Sequence, residues 1–456
     1  MTFSTELGRF VANTQTDATS DAARAIAARA FVDTLGCALA GTRSAIGHQL
    51  LQHLRDVGGT GSSHVFDGGP PMAMLDAVMA NGTLSHAVDF DDTNHPLYGH
   101  PSCVLMPAVL GAAERTDATG SDLVTAYLVG HEVLIALARA INHDHYGQGF
   151  HATGSLGVFA SAAAAANLLR LDADRAAHTL ALAASMSTGL RANIGSMTKP
   201  FHAGQAASYG VRAALMAGAG WESSLDAFER PTTGYFAAYA VGREPSIGEA
   251  LDPLGTWAIE EPFGQQVKPF PACGATHPAS EAALTVHRRL GGRYDRIAAI
   301  DVGVCSLLPG ILVYPEPVTS DQARFSLHYT VSRALVSGRV GLDHFEGDAI
   351  HDPDVRRVMP LVRMHVDDRV RDNTEFGVIL NVTTVDGEHI EEHLEFALGK
   401  NARPMSEEQL QQKFAGCLRQ DVAACADLFQ AWRGVDDQPS AKALWDSLDA
   451  WRDSSS

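Results

Sequence analysis

One stretch of eighteen residues, 85–102, concentrates side chains that can transfer protons or bind metal ions. It holds three carboxylates and three imidazoles: Asp89, Asp91, Asp92, His86, His95 and His100. Each of these groups costs free energy to bury, because its charge loses hydration and then needs a partner. Their density therefore indicates a functional site, and the chemistry that needs such groups at one point is proton transfer or metal binding.

Four other segments combine polar side chains with the glycines or prolines of a tight loop. Their candidate residues are His151 in 149–154; Arg191, Lys199 and His202 in 191–204; Lys268, Cys273 and His277 in 268–277; and Tyr314 in 314–317. The first segment opens a predicted helix, whose free N–H groups and partial positive charge suit a carboxylate ligand, and the second segment opens another helix. Lys199 and His202 are three positions apart, which would place them on one face of a helix.

A metal-dependent enzyme is an alternative interpretation of Asp89, Asp91 and Asp92. Acidic clusters on helices can hold Mg²⁺ bridged to a diphosphate. Such an enzyme usually has a second acidic cluster, and the predicted helical part of this sequence has none of comparable density. For His143 and His145, which lie in a polar loop, we expect a solvated position rather than a functional one.

The composition indicates a globular protein with a large interior. The chain has 456 residues, 46% hydrophobic and 19% charged, which exceeds one ordinary core and predicts two domains. Its net charge of −19 disfavours nucleic acid or a membrane surface as a partner. Its six cysteines form no C-x-x-C pair, which disfavours zinc-ribbon and iron–sulfur sites and suggests a reducing, cytoplasmic setting. The N-terminus has no signal-peptide pattern, and the apolar run 158–169 is too short to span a membrane.

The pattern of elements predicts a mainly α protein. Residues 1–265 are mostly helical, with small residues on several helix faces, as in helices buried inside a large bundle. Residues 266–403 mix strands with helices, which predicts a smaller α+β lid domain. Residues 404–456 return to helix, and we expect them to rejoin the first, all-helical domain, which is then discontinuous. The sequence predicts helices 21–39, with Ser20 as its N-cap, 73–84, 156–169, 202–218, 277–290, 321–337 and 354–359. It also predicts strands 297–304, 376–384 and 389–394, the last two joined by a hairpin at Asp386-Gly387.

Six pieces of the sequence, taken in order, resemble the MmgE/PrpD family. They are His86–Thr93, His100–Ser102, Gly149–His151, Lys199–Gly204, Lys268–Cys273 and Asp321–Tyr329. No single piece is very specific, but the ordered set is. The resemblance implies a large all-helical domain, a smaller α+β lid, a homodimer, and no metal or organic cofactor.

The resemblance also implies an activity, because the family includes 2-methylcitrate dehydratase, cis-aconitate decarboxylase and iminodisuccinate epimerase. We therefore expect a lyase that decarboxylates or dehydrates a small anionic di- or tricarboxylate. An isomerase or epimerase that uses the same pocket is the second interpretation. The metal-dependent enzyme and a non-enzymatic helical binding module rank below both.

Carried over residue by residue, the resemblance assigns pocket positions in this sequence. They are Asp89, Thr93, His100, His151, Lys199, Lys268 and Tyr314. Thr93 and Tyr314 would position substrate oxygens, and either Cys273 or His277 would face the substrate. Arg191 belongs to a stretch seen in some relatives only and would tune specificity, while His202 would contact substrate one helical turn after Lys199.

The expected mechanism moves a proton or a carboxylate at a carbon next to a carboxylate. Lys199 and Lys268 would bind substrate carboxylates and stabilise developing negative charge. His100 and His151 would transfer protons, because imidazole titrates near neutrality. Asp89 would orient one of the two imidazoles and stabilise its charge.

Overall fold

The architecture is that of a computed structural model, which describes residues 2–240, 244–373 and 375–455. The chain forms two compact units, Met1–Val267 with Ser406–Ser456, and Lys268–Met405. The prediction of a mainly α fold is confirmed, because 58% of the chain is helical and the mixed sheet is small, with four strands.

The elements are numbered along the chain. The helices are α1 (Phe3–Asn13), α2 (Asp21–Gly41), α3 (Ala45–Val57), α4 (Met74–His86), α5 (Ser102–Ala113), α6 (Gly120–Ile141), α7 (Asp144–Gly147), α8 (Ala152–Ser155), α9 (Gly157–Leu168), α10 (Ala173–Ala184), α11 (Thr198–Gly218), α12 (Tyr235–Tyr239), α13 (Ile247–Leu251), α14 (His277–Arg289), α15 (Ser320–Ala323), α16 (Leu327–Ser337), α17 (Pro353–Val358), α18 (Glu407–Leu418), α19 (Ala426–Arg433) and α20 (Ala441–Ser455). The strands are β1 (Thr60–Ser63), β2 (Ile297–Val304), β3 (Val362–Val366), β4 (Val378–Thr384) and β5 (His389–Leu394).

Side-chain caps fix where the long helices of the first unit begin. Ser20 Oγ accepts a hydrogen bond from the backbone N–H of Ala23 at the start of α2. Thr119 and Asp122 form a capping box at the start of α6. Helix α6 is apolar and long enough to cross a membrane, but 94% of its most apolar window is buried, which is typical of a core helix.

Two glycines bring α4 and α11 into backbone contact. A Cβ added at Gly82 would lie 2.8 Å from the Cα of Gly204. A Cβ added at Gly204 would lie 2.1 Å from the carbonyl oxygen of Met79 and 2.2 Å from Thr83 Oγ1. This close crossing fixes the C-terminal end of α4, which carries His86, against the N-terminal part of α11.

Several helices begin at residues other than the predicted ones. Helix α11 begins at Thr198, four residues before the predicted start, so Lys199 and His202 are helical residues. The predicted helix 156–169 begins at Gly157, and the four-residue α8 precedes it. The N-terminus that follows His151 therefore belongs to a short turn of helix, not to the long one. The predicted helix 321–337 is two helices, α15 and α16.

The second unit packs helices against a sheet with the strand order β3-β2-β4-β5. Strands β2 and β3 are parallel, whereas β2–β4 and β4–β5 are antiparallel. The predicted hairpin is present at Asp386-Gly387, where Gly387 adopts a φ of +85° that favours glycine. Strand β3 was not predicted from the sequence. The core of this unit includes apolar residues of β2, β4, α14 and α16.

Candidate active site

The first unit gathers ionisable side chains at the C-terminal end of α4, in the loop that follows, and at the start of α11. The members of this cluster are His86, Asp89, Asp91, His100 and Lys199. All five are buried, and His100 is the most exposed of them at 8%. Such a cluster persists in the interior only if each charge meets a partner.

Asp91 is the partner of two imidazoles. Its carboxylate lies 2.9 Å from Nδ1 of His86 and 3.1 Å from Nδ1 of His100. Burial alone would raise the pKa of Asp91, but the imidazoles of His86 and His100 outweigh that effect and hold this pKa well below its ordinary value. Asp91 is therefore ionised at neutral pH, and it presents the Nε2 atoms of both rings to the other members of the cluster.

His86 links Asp91 to Lys199. Burial lowers the pKa of His86, so its ring is neutral and carries one proton. Because the ionised Asp91 can only accept, that proton is on Nδ1, and Nε2 accepts a hydrogen bond from Lys199 Nζ at 2.9 Å. Lys199 Nζ also donates to Asp89 Oδ1 at 2.7 Å. The lysine ammonium thus lies between an imidazole and a carboxylate in the interior of the unit.

Asp89 occupies a bend of the backbone that few residues adopt. Its φ is +52°, in the left-handed region, where Asp is better tolerated than most residues. Because of this bend, the side chains of Asp89 and Asp91 point in different directions. Asp89 Oδ1 lies 3.6 Å from Nε2 of His100, so the carboxylates of Asp89 and Asp91 flank the same ring.

His151 and His202 form a second buried pair beside the cluster. Their Nδ1 atoms are 3.1 Å apart, and the ring of His151 lies nearly parallel to that of His86 with centroids 6.0 Å apart. Burial, followed by the positive charge of Lys199, lowers the pKa of His151 well below its ordinary value. Burial also lowers the pKa of His202, to about 4. Both rings are therefore neutral at physiological pH.

The loop that carries His100 is attached to the loop that carries His151. The backbone N–H of His100 donates to Thr153 Oγ1 at 3.0 Å. A Cβ added at Gly99 would lie 2.9 Å from the same oxygen, so only glycine allows this approach. The contact fixes the separation of the two candidate proton-transfer histidines.

Asp92 belongs to a different network. Its oxygens accept from the backbone N–H of Ser102 at 3.2 Å, from Ser102 Oγ at 2.5 Å and from Gln265 Nε2 at 2.8 Å. Tyr127 extends the network, since its hydroxyl lies 2.6 Å from Ser102 Oγ. Burial raises the pKa of Asp92 to about 7 despite these hydrogen bonds. Asp92 thus connects the beginning of the loop to Ser102, the first residue of α5.

The donor set His86, Asp89, Asp91 and His100 also has the residue types and spacing of a cation site. One ligand atom from each residue lies within 4.8 Å of the others. Lys199 Nζ already contacts two of these residues, so the charge of a cation is supplied by the chain itself. Because the oxygens of Asp92 are engaged by Ser102 and Gln265, the three-carboxylate arrangement of the metal alternative is not formed by these residues.

Comparison with known proteins identifies the family. The model of the MmgE/PrpD N-terminal domain matches residues 5–248, and that of the MmgE/PrpD C-terminal domain matches residues 270–429. The chain belongs to the MmgE/PrpD family. The resemblance inferred from its six sequence pieces is thus confirmed.

Several relatives of this MmgE/PrpD protein are named as decarboxylases. The cis-aconitate decarboxylase of Homo sapiens is 30% identical over 407 residues, covering 85% of this chain and 81% of the relative. That of Mus musculus is 28% identical, covering 85% and 80%. That of Aspergillus terreus is 25% identical, covering 84% and 82%. The similarity extends over most of the length of each protein.

Thr93 and Arg191, like the pair of His151 and His202, have partners outside the cluster. Thr93 pairs its backbone with Gln266 in both directions at 2.9 Å, and its hydroxyl donates to Gln266 Oε1 at 3.2 Å. Arg191 donates to the carbonyl oxygen of Tyr146 at 2.8 Å, and its guanidinium lies 4.0 Å from the centre of the Tyr146 ring. The structure brings Asp89, His100 and Lys199 together by direct contact.

The other predicted site residues lie in the second unit. Lys268 is buried there, and Tyr314 is half-buried. His277 is buried, and its Nε2 lies 3.0 Å from the carbonyl oxygen of Ala272 within the same unit. Cys273 is half-buried, and its backbone N–H donates to the carbonyl oxygen of Arg324.

Sequence reasoning missed two members of the cluster. It did not include His86 among the site residues, and it gave Asp91 a role only in the metal alternative. A signal was available, because His86 lies two positions beyond the predicted helix 73–84, and a turn over the next five residues can return a carboxylate to it. The expectation of a solvated His145 is wrong. His145 is buried, with Nε2 2.7 Å from Ser155 Oγ and its ring stacked on Phe150, because the loop folds inward onto α8.

Proposed function

We propose that this protein is a carbon–carbon lyase that decarboxylates a small unsaturated tricarboxylate, with cis-aconitate as the first candidate. Two observations support the proposal. Relatives that align over most of this chain are named cis-aconitate decarboxylases. The single structural observation that carries it is the buried cluster, in which an ammonium group, two carboxylates and two imidazoles converge.

Decarboxylation sets a defined chemical task. The carbon–carbon bond to the departing carboxylate breaks, and its electron pair stays on the substrate. One proton is then added to carbon, so that a C–H bond replaces the C–C bond. The reaction therefore needs neither an oxidant nor a reductant. The site must therefore stabilise negative charge next to a remaining carboxylate and deliver one proton.

His100 is the proposed proton donor. Its Nδ1 faces the ionised Asp91 at 3.1 Å, which orients the ring and favours positive charge on it. Its Nε2 is directed away from that contact, and the ring is the most exposed of the cluster. We assign the orienting role to Asp91; the sequence suggested it for Asp89, whose Oδ1 lies 3.6 Å from Nε2 of the same ring.

His151 is proposed as a neutral hydrogen-bond donor to developing negative charge. A buried imidazole whose pKa is held well below neutrality cannot supply a proton from an imidazolium, but its N–H can still polarise an oxyanion. Lys199 adds a fixed positive charge in the same interior region. Lys268, Thr93 and Tyr314 remain proposed substrate-binding residues.

Proton NMR in deuterated buffer tests the function. The purified protein is incubated separately with cis-aconitate, 2-methylcitrate, citrate and iminodisuccinate. Cleavage of cis-aconitate with loss of CO₂ and one deuterium in the product supports the proposal. Loss or addition of water without loss of CO₂ would identify a dehydratase instead. Deuterium exchange without bond cleavage would identify an epimerase and contradict the lyase.

A matched pair of variants tests the site. His100→Asn should lower kcat about 10²–10⁴-fold, the usual effect of removing a general acid. His53→Asn replaces an exposed histidine of α3 in the same unit and should leave kcat unchanged. Both proteins are compared by circular dichroism to establish that they fold. Equal activity of His100→Asn and the wild type would remove His100 from the mechanism.

A further inference from the structure

The imidazoles of His151 and His202 are in direct contact, and no step of the proposed mechanism depends on that contact. The contact joins Nδ1 to Nδ1 at 3.1 Å, and the two side chains are 3% and 8% exposed. The sequence suggested that His202 contacts substrate. In the structure its imidazole instead meets the imidazole of His151.

Two neutral imidazoles can share such a contact in one way only. Each neutral ring carries a single N–H, and a hydrogen bond between two Nδ1 atoms needs one donor and one acceptor. Burial keeps both rings neutral, and the nearby positive charge of Lys199 acts in the same direction. The rings must therefore be opposite tautomers, one protonated at Nδ1 and the other at Nε2.

We infer that His202 is a positioning residue, which donates its Nδ1–H to Nδ1 of His151 and thereby holds the proton of His151 on Nε2. The direction of this hydrogen bond rests on the proposed function, in which His151 must donate to a developing negative charge. The opposite direction would leave His151 Nε2 as an acceptor, which repels an oxyanion. The tautomer of His151 is thus set by its neighbour, as in other histidines with a fixed second partner.

The surroundings of His202 hold its ring in the orientation that this contact needs. It lies on α11 three residues after Lys199, so one helix presents both side chains. A Cβ added at Gly154 would lie 3.0 Å from Cβ of His202, and one added at Gly189 would lie 3.4 Å from its Cγ. Gly189 has a φ of +128°, which favours glycine. These two glycines let backbone pack closely around the imidazole.

Nitrogen-15 NMR of protein labelled in its histidine side chains tests the tautomers without reference to turnover. A long-range ¹H–¹⁵N correlation distinguishes a protonated ring nitrogen from an unprotonated one. The expected spectrum shows His202 protonated at Nδ1 and His151 protonated at Nε2, with assignments made from His202→Asn and His151→Asn proteins. The reverse pattern, or two Nε2–H tautomers, would overturn the inference even if the protein proves to be a decarboxylase.

A double-mutant cycle tests the functional consequence. His202→Leu removes the donor and should lower kcat about 10–100-fold with little change in KM, the range typical for the outer partner of a functional histidine. His202→Asn keeps an amide near the position of Nδ1 and should recover most of that loss. Adding His202→Leu to His151→Ala should cause no further loss, because His202 acts through His151.

The outcomes of the cycle separate the alternatives. Losses that multiply in the double variant, or a rise in KM alone, would show that His202 meets the substrate independently and would contradict the inference. An equal loss in His202→Asn and His202→Leu would also contradict it, because a hydrogen-bonding amide would then give no rescue. If the wild-type protein decarboxylates no tested acid, the proposed function fails, and the tautomer spectrum still tests the His202–His151 hydrogen bond.

Discussion

Three carboxylates within four residues have three different sets of partners. Asp89 meets Lys199, Asp91 meets two imidazoles, and Asp92 meets Ser102 and Gln265. The composition of this segment predicted a functional cluster, but it could not assign the partners. The assignment depends on the positive φ of Asp89, which turns the chain between the first and second carboxylate. A local bend of this kind is stabilised by the surrounding fold and leaves little trace in the sequence.

Asp91→Asn should lower kcat about 100-fold or more while the protein stays folded. The amide keeps the shape of the carboxylate, but it loses the charge that orients and stabilises the imidazoles of His86 and His100. Steady-state kinetics on the substrate found by NMR measures the effect. Asp56→Asn, at an exposed position of α3, is the control and should be neutral. Wild-type kcat in Asp91→Asn would contradict the role assigned to this carboxylate.

Asp92 should make stability fall as the pH rises. Burial raises its pKa from the unfolded value of 3.8 to about 7, so between these values the folded state holds a proton that the unfolded state has lost. The free energy of unfolding then decreases from about pH 4 to about pH 7. Asp92→Asn cannot titrate and should flatten that part of the profile, as measured by urea unfolding at several pH values. An unchanged slope in the variant would show that other groups cause it.

The first residue of a helix could be predicted where the sequence shows a local capping residue. The prediction was less accurate where a proline lies inside the first turn of the helix. The start of α2 after Ser20 follows from a cap that the sequence displays. For α11 the sequence placed the start after Pro200, whereas the helix begins at Thr198 and includes that proline. Proline is tolerated there because the first N–H groups of a helix have no partner within the helix. Strand β3 was missed because its pairing with β2 is set by residues about sixty positions away.

Gly204→Ala should destabilise the protein and lower its activity. The added methyl group would overlap backbone atoms of α4 and must push the two helices apart, which typically costs about 1–3 kcal/mol. The same shift would separate His86 at the end of α4 from Lys199 near the start of α11. Thermal unfolding and kcat are measured together.

Gly416→Ala is the matched control for this substitution. Gly416 is an exposed residue within α18, and an added Cβ would meet nothing within 4 Å. Its replacement should therefore raise stability by about 0.5–1 kcal/mol through helix propensity. If both alanine variants changed stability in the same direction, close packing of α4 and α11 would not explain the effect at Gly204.

Across the whole chain, the returning C-terminal segment belongs to the same unit as the cluster and supports it. Helix α18 supplies Lys413, whose Nζ lies 2.5 Å from Asp33 Oδ1 on α2 and donates to the carbonyl oxygen of Phe90 at 2.8 Å. Phe90 lies between Asp89 and Asp91 in the chain, so a residue near the C-terminus holds the loop that carries both carboxylates. Such a contact joins residues hundreds of positions apart and could not be derived from spacing in one sequence.

Breaking this buried pair should cost far more than breaking an exposed one. Lys413→Met leaves the Asp33 carboxylate buried without its cation, a change that typically costs about 3–5 kcal/mol of unfolding free energy. Lys442→Met is the control, because Lys442 and Asp446 form an exposed pair on α20 that is worth about 0–1 kcal/mol. Adding Asp33→Leu to Lys413→Met should recover much of the loss, since no buried charge then remains. Equal unfolding midpoints for Lys413→Met and Lys442→Met would show that the C-terminal segment does not support the loop through this ion pair.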